Sequence, residues 1–90
     1  MTAATETKTY NGWKNYATWN VNLWLMNDEG MYRACVALAQ DCEKHNVVVG
    51  PLAAKRFVTS LIGRTTPDKV RLADRTIDWK AIAESINECA

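Results

Sequence analysis

Three cysteines and one histidine, Cys35, Cys42, Cys89 and His45, are the side chains best equipped for chemistry in this sequence. Together they would make a Cys3His set, enough for a closed tetrahedral zinc site. Cys42 and His45, three residues apart, would share a helix face and could act as nucleophile and base. Their setting argues against both roles. No Cys-x2-Cys knuckle is present, and Cys89 is the penultimate residue, where chains fray. No further residue is evident to orient the imidazole, and no glycine-rich turn offers an oxyanion hole. Cys35 and Cys42 instead sit in an apolar stripe, where a free cysteine packs as a small hydrophobe. Seven residues apart on one helix, they lie about 10.5 Å from each other, beyond the roughly 7 Å reach of a disulfide. The adjacent Asp28 and Glu29 read as charges favoured at a helix start. The four glycines form neither a phosphate-binding loop nor a Gly-x-Gly-x-x-Gly turn. The expectation is a protein that is not an enzyme and carries no metal or cofactor.

Two stretches hold candidate binding residues. Between Pro51 and Arg75 stand six basic residues, Lys55, Arg56, Arg64, Lys69, Arg71 and Arg75, against Asp68 and Asp74, a local surplus of +4 in a chain whose net charge is +1. Such a surface could contact phosphates, with steep salt dependence; an ordinary solvated helix face has the same composition. The second stretch interleaves Asn11, Asn15, Asn20, Asn22 and Asn27 with Trp13, Tyr16, Trp19 and Trp24. Asparagine is a poor helix former because its amide competes for backbone partners, so each copy within a helix needs a reason. One reason is structural: Asn15 or Thr18 caps the helix and Asn20 ties down the loop before it. The other is recognition of a protein through Tyr16, Trp19, Asn20 and Trp24, since tryptophan and tyrosine dominate interface hot spots.

Helices must position these residues. From Asn15 to about Asn27 apolar side chains cover nearly the whole circumference, with Trp19, Leu23 and Met26 on one side and Val21 with Leu25 opposite. Alternation of Trp19, Val21, Leu23 and Leu25 also permits a strand, but leucine and methionine favour helix. A helix apolar all round is buried or meets a partner, here within one chain or across a homodimer. A second helix covers roughly Glu29 to His45, capped by Asn27 or Asp28, with Met31, Cys35, Leu38 and Cys42 as its stripe. Val47-Val48-Val49 is a linker or an isolated strand. Pro51 opens a third helix that stops at Gly63. Thr66-Pro67-Asp68 carries the signals of a short fourth one through Val70 and Leu72, and Asp78 caps a last helix with Trp79, Ile82, Ala83 and Ile86 in register. The expected fold is all-α: four to five short helices in a single domain over residues 13–90, preceded by a flexible arm over 1–12. The helix carrying Trp19 and Trp24 is expected to pack against the helix carrying Trp79, Ile82 and Ile86, with Met31, Leu38, Phe57 and Leu61 filling between and Trp79 a large buried part of the core.

The run Asn15-Tyr16-x-Thr18-Trp19-Asn20-Val21, followed by Leu23-Trp24-Leu25 and Asn27-Asp28-Glu29-Gly30-Met31-Tyr32, resembles an uncharacterised family of small proteins found in bacteria, archaea and tailed bacteriophages. Asp78-Trp79-x-x-Ile82-Ala83 is similar to that family's closing signature. The resemblance spans about Gly12 to Glu84 and implies a small, mostly helical, often phage-borne protein, with no catalytic residues attached.

Composition sets the remaining bounds. Ninety residues with 48% hydrophobic content and four tryptophans can build one small core. A net charge of +1 excludes a strongly basic nucleic-acid coat and an acidic disordered tail. No apolar run approaches the length of a membrane span, and no signal core opens the chain, so a cytoplasmic protein is expected. Its expected role is to bind a host or viral protein, with a small nucleic-acid-binding accessory role through residues 55–75 as the alternative.

Overall fold

Asn15 sets the first helix. Its carboxamide oxygen accepts from the backbone N–H and the hydroxyl of Thr18, satisfying a donor that the first helical turn leaves orphaned. In a computed structural model that describes residues 12–90, α1 runs Tyr16–Asn27, α2 Glu29–Lys44, α3 Pro51–Ile62 and α4 Trp79–Asn87, with no named strand among those residues. The all-α reading holds. The arm expected over residues 1–12 lies, but for Gly12, outside the described residues.

Local chemistry sets most boundaries. The Asp28 side chain accepts from Met31 N–H to start α2 directly after α1, and Asp78 accepts from Ala81 N–H to start α4. Pro51 occupies the start of α3, where its missing N–H costs nothing, and Gly63 ends that helix at φ 97°, a conformation glycine adopts without strain. Val47 to Val49 is a linker and forms no strand. Asn87 pins it, accepting from Val49 N–H at 2.9 Å and donating to Val49 C=O at 3.1 Å.

Helix α4, the shortest, is the hub: it packs against α1, α2 and α3, and its Ile82, Ala83 and Ile86 are buried. Around it gather Ala17, Val21 and Leu25 of α1, Cys35 and Ala39 of α2, Ala54 and Val58 of α3, and Val70, Leu72 and Ile77 of the segment before α4. Two expectations are corrected here. The core side of α1 is the Val21–Leu25 face; Trp19 and Trp24 are only partly buried. Trp79, as the first residue of α4, lies at the core's edge and is also partly buried. An all-round apolar helix carries no directional signal, and close packing beside α4 favours the small and branched side chains of α1 over its indoles. Met31, Leu38, Phe57 and Leu61 do pack against the core.

The expected short helix after Thr66 does not form. Residues 64–78 make an irregular loop whose only pairing is an isolated antiparallel bridge, Thr65 with Arg71, flanked by Thr66 N–H to Val70 C=O at 2.8 Å and Leu72 N–H to Arg64 C=O at 2.9 Å. Lys69 at φ 70° breaks any helical run. The Asp68 carboxylate, which would have favoured a helix start, is directed at α1 instead.

Candidate functional site

Helix α1 carries a ladder of polar side chains that bind the last third of the chain. Asn15 donates through Nδ2 to Thr76 C=O at 2.6 Å, and the fully buried Thr18 hydroxyl accepts from Asp78 N–H at 2.9 Å. Two residues on, Asn20, also fully buried, accepts through Oδ1 from the Thr66 hydroxyl and donates through Nδ2 to Asp68 Oδ2, both at 2.8 Å. Trp24 Nε1–H donates to the same Asp68 oxygen at 3.0 Å. Asn22 Oδ1 accepts from the Ser85 hydroxyl at 2.6 Å, which ties α1 to α4. Asn15, Asn20 and Asn22 are thus satisfied across the fold, whereas Asn27 donates back to Leu23 C=O of its own helix. Asn20 holds the loop that follows α3, whereas the sequence suggested the loop before α1.

The four residues singled out for protein binding therefore divide. Asn20 is inside, with both ends of its amide committed, and cannot meet a partner. Trp24 is half-buried and linked to Asp68. Tyr16 and Trp19 form a tilted aromatic pair with ring centroids 5.6 Å apart, and Tyr16 is 44% exposed. Thr66 and Asp68, which complete the ladder, escaped notice as site residues because Thr-Pro-Asp is also a helix-start signature.

The two hydrogen bonds to Asp68, from Asn20 first and Trp24 second, hold its carboxyl below its ordinary 3.8. A carboxyl depressed in the folded state adds stability above its ordinary pKa and loses it as pH falls through the folded value. Acidifying below pH 3.8 is accordingly expected to shift the Trp24 indole N–H resonance toward that of a free indole. Asp68→Asn should show the shifted position already at neutral pH. An indole signal indifferent to both would remove the Trp24–Asp68 contact.

Of the six basic residues, the fold draws three into one cleft. Lys55 and Thr59 of α3 face Arg64, Thr65 and Arg71 of the bridged loop across about 580 Å³, over Leu72 and Ala73. Arg56 opens onto a neighbouring cleft with Leu52 and Ser60, and Arg75 onto another with Lys14 and Lys80. Nothing groups Lys69 with the rest.

A family of sequences described as a family of unknown function, DUF7249, matches residues 6–90. The chain belongs to DUF7249. The match spans the helical domain, the polar ladder of α1 and the Asp78 cap of α4. No curated protein and no solved structure matches the chain.

In this DUF7249 member the three cysteines are free. Cys35 is fully buried, and burial, with Cys89 adding to it, pushes its thiol up to about 11. Burial and then Glu88 raise Cys89, whose Sγ lies 3.4 Å from Ser85 C=O and 4.0 Å from Met26 Sδ. His45 is turned back onto its own helix, with Nδ1 2.9 Å from Asp41 C=O and 3.8 Å from the Asp41 carboxylate. No three Cys, His, Asp or Glu side chains among the described residues gather into a set that could hold a metal. Cys35 is the packing residue its stripe suggested. Under native conditions a thiol reagent at mildly alkaline pH is expected to modify Cys42 first, with Cys35 protected on the order of 10²-fold relative to unfolded chain. Mass spectrometry of partly labelled protein reads this directly, and early modification at Cys35 would contradict its place in the core.

Proposed function

We propose that the protein is a small non-enzymatic interaction module, encoded by a bacteriophage or a similar mobile element and acting in the host cytoplasm, that binds a host or viral protein through the surface around Tyr16 and Trp19. The observation that carries this reading is the division of labour on α1. Its burial is supplied by Ala17, Val21 and Leu25, yet at the other side it carries the Tyr16–Trp19 pair, with Tyr16 exposed and Trp19 partly buried, and such rings offer contact area. The Asn20 ladder fixes α1 against the rest of the fold, so that pair is held rigidly and loses little entropy on binding. In support of a phage setting stands the motif resemblance of Asn15 to Tyr32. No helix among the described residues is long and apolar enough to cross a membrane.

The test is a tagged pull-down from host lysate, run with nuclease, comparing wild type with Tyr16→Ala. Tyr16 is 44% exposed, so its truncation leaves no closed cavity, and an unchanged helical circular-dichroism spectrum checks the fold of the variant; loss of a hot-spot side chain weakens binding by about 30-fold. A stoichiometric protein retained by wild type and lost by the variant is the expected outcome. A partner held equally by both would move the contact surface elsewhere, and recovery that collapses with nuclease would favour nucleic acid.

A further inference from the structure

We infer that the cleft between α3 and the 64–73 loop is a binding site for a phosphate monoester on a small molecule of up to nucleotide size. Three cationic side chains, Lys55, Arg64 and Arg71, line it, and no carboxylate does. Among the described residues the only ion pair of a lysine or arginine is Arg33 with Glu29, so none of the three cations is neutralised by a neighbour. The two acids in the same stretch of sequence are turned to other tasks: Asp68 holds Asn20 and Trp24, and Asp74 accepts from the Thr76 backbone and hydroxyl. Three like charges around a concavity repel one another and focus a positive potential into it, and an anion relieves that repulsion.

The backbone explains why the cleft is built rather than accidental. The bridge hydrogen bonds run from Thr66 to Val70 and from Leu72 to Arg64, one residue to either side of Thr65 and Arg71. Those two residues therefore form the non-hydrogen-bonded pair of an antiparallel ladder, the closer of the two pair types, with side chains adjacent on one face. This sets the Arg71 and Thr65 side chains side by side on the wall of the cleft they both line. Lys55 and Thr59, four apart on α3, share the opposite wall. Thr59 already donates to Lys55 C=O at 2.7 Å, so Thr65 is the hydroxyl able to donate to an incoming oxygen. A guanidinium grips a phosphate through two parallel N–H donors and a lysine adds a point charge. The volume of about 580 Å³ is that of a small-molecule site. Arg56 lines an adjoining cleft that shares Lys55 and Thr59 with this one, but Arg75 opens onto a separate cleft, so the basic residues do not form one continuous track for a nucleic-acid backbone.

The experiment is an NMR titration of the 15N-labelled full chain at constant ionic strength, with sodium chloride, inorganic phosphate, adenosine monophosphate and a 12-nucleotide single-stranded DNA as separate probes. Saturable shifts confined to residues 55–59, 64–65 and 71–73 are expected with phosphate and the mononucleotide, and none with chloride. Arg71→Glu and Lys55→Glu, both at exposed positions, should each weaken mononucleotide binding at least about tenfold, by loss of a charge-assisted contact and gain of a repulsive one. Unsaturable shifts spread over all exposed basic residues would overturn the assignment. So would DNA binding far tighter than the mononucleotide with a salt slope counting several phosphates, which would make the surface a nucleic-acid interface. Tyr16 lies outside this cleft, so the outcome here is independent of the protein-binding test above.

Discussion

Replacing Asn20 by alanine is expected to destabilise the protein by about 3 kcal/mol and to release the 64–76 loop from α1. Asn20 has no exposed surface, and its amide joins the Thr66 hydroxyl to the Asp68 carboxylate. Alanine leaves the buried Thr66 hydroxyl without its acceptor and a space where the amide stood. A buried polar group left unsatisfied costs roughly 1–3 kcal/mol, and the empty volume adds to it. In a domain of this size that lowers Tm by roughly 10–20 °C. Hydrogen exchange should then quicken at Thr66 and Val70, whose backbone N–H groups donate within the loop, while α2 amides follow only the global change. Asn20→Asp separates the polar link from mere volume. It keeps the acceptor for Thr66 but places a second carboxylate against Asp68, and two such groups cannot both ionise at hydrogen-bond distance. The pair must then hold a proton, so its folded pKa is raised, and the variant is stabilised below the ordinary carboxylate range and weakened as pH rises through it. A near-wild-type melting temperature for both variants would show the ladder to be ornamental.

This link also marks where the sequence stops being readable. Asp28, Pro51, Gly63 and Asp78 act through neighbours within four residues, so their roles as helix starts and stops follow from local order alone. Thr66-Pro67-Asp68 has the same vocabulary, but its partners are Asn20 and Trp24, more than 40 residues away. Once the Asp68 carboxylate is taken by α1 it no longer supports a helix N-terminus, and Lys69 at positive φ turns the chain back toward the Thr65–Arg71 bridge. In α1 the difficulty was the opposite one. Apolar side chains on every side make the helix legible as buried but give no direction. The core-facing side was settled by which side chains pack closely, Ala17, Val21 and Leu25 rather than the indoles. The basic cleft was half legible: the surplus charge of residues 51–75 is visible in the sequence, whereas its gathering of Lys55 with Arg64 and Arg71 depends on the bridge.

The hub position of α4 leads to the other large expected effect, at Ile82, which the sequence placed in the same stripe as Trp79. Tryptophan is the largest apolar side chain of α4 and invites the expectation that Trp79→Ala costs about 3–5 kcal/mol. The fold assigns that role to Ile82. It is fully buried on the helix that touches the other three, whereas Trp79 keeps part of its surface in solvent at the helix start. Ile82→Ala is therefore expected to cost about 4 kcal/mol, near the upper end for truncating a buried isoleucine, because walls supplied by several helices cannot all collapse inward at once. Trp79→Ala should cost about 1–2 kcal/mol, since only the buried part of the ring loses its apolar surroundings. Alanine has a better helix propensity than either residue, so neither loss would reflect α4 failing to form. Ile82→Leu, which keeps volume while changing shape, should stay under about 1.5 kcal/mol. Urea denaturation of the three variants decides the matter. If Trp79→Ala proves the more damaging, the core is centred on the start of α4. The expected order puts it where Ile82 and Ile86 meet the Val21–Leu25 face, so any partner gripping Tyr16 and Trp19 would pull on a helix anchored at its opposite side.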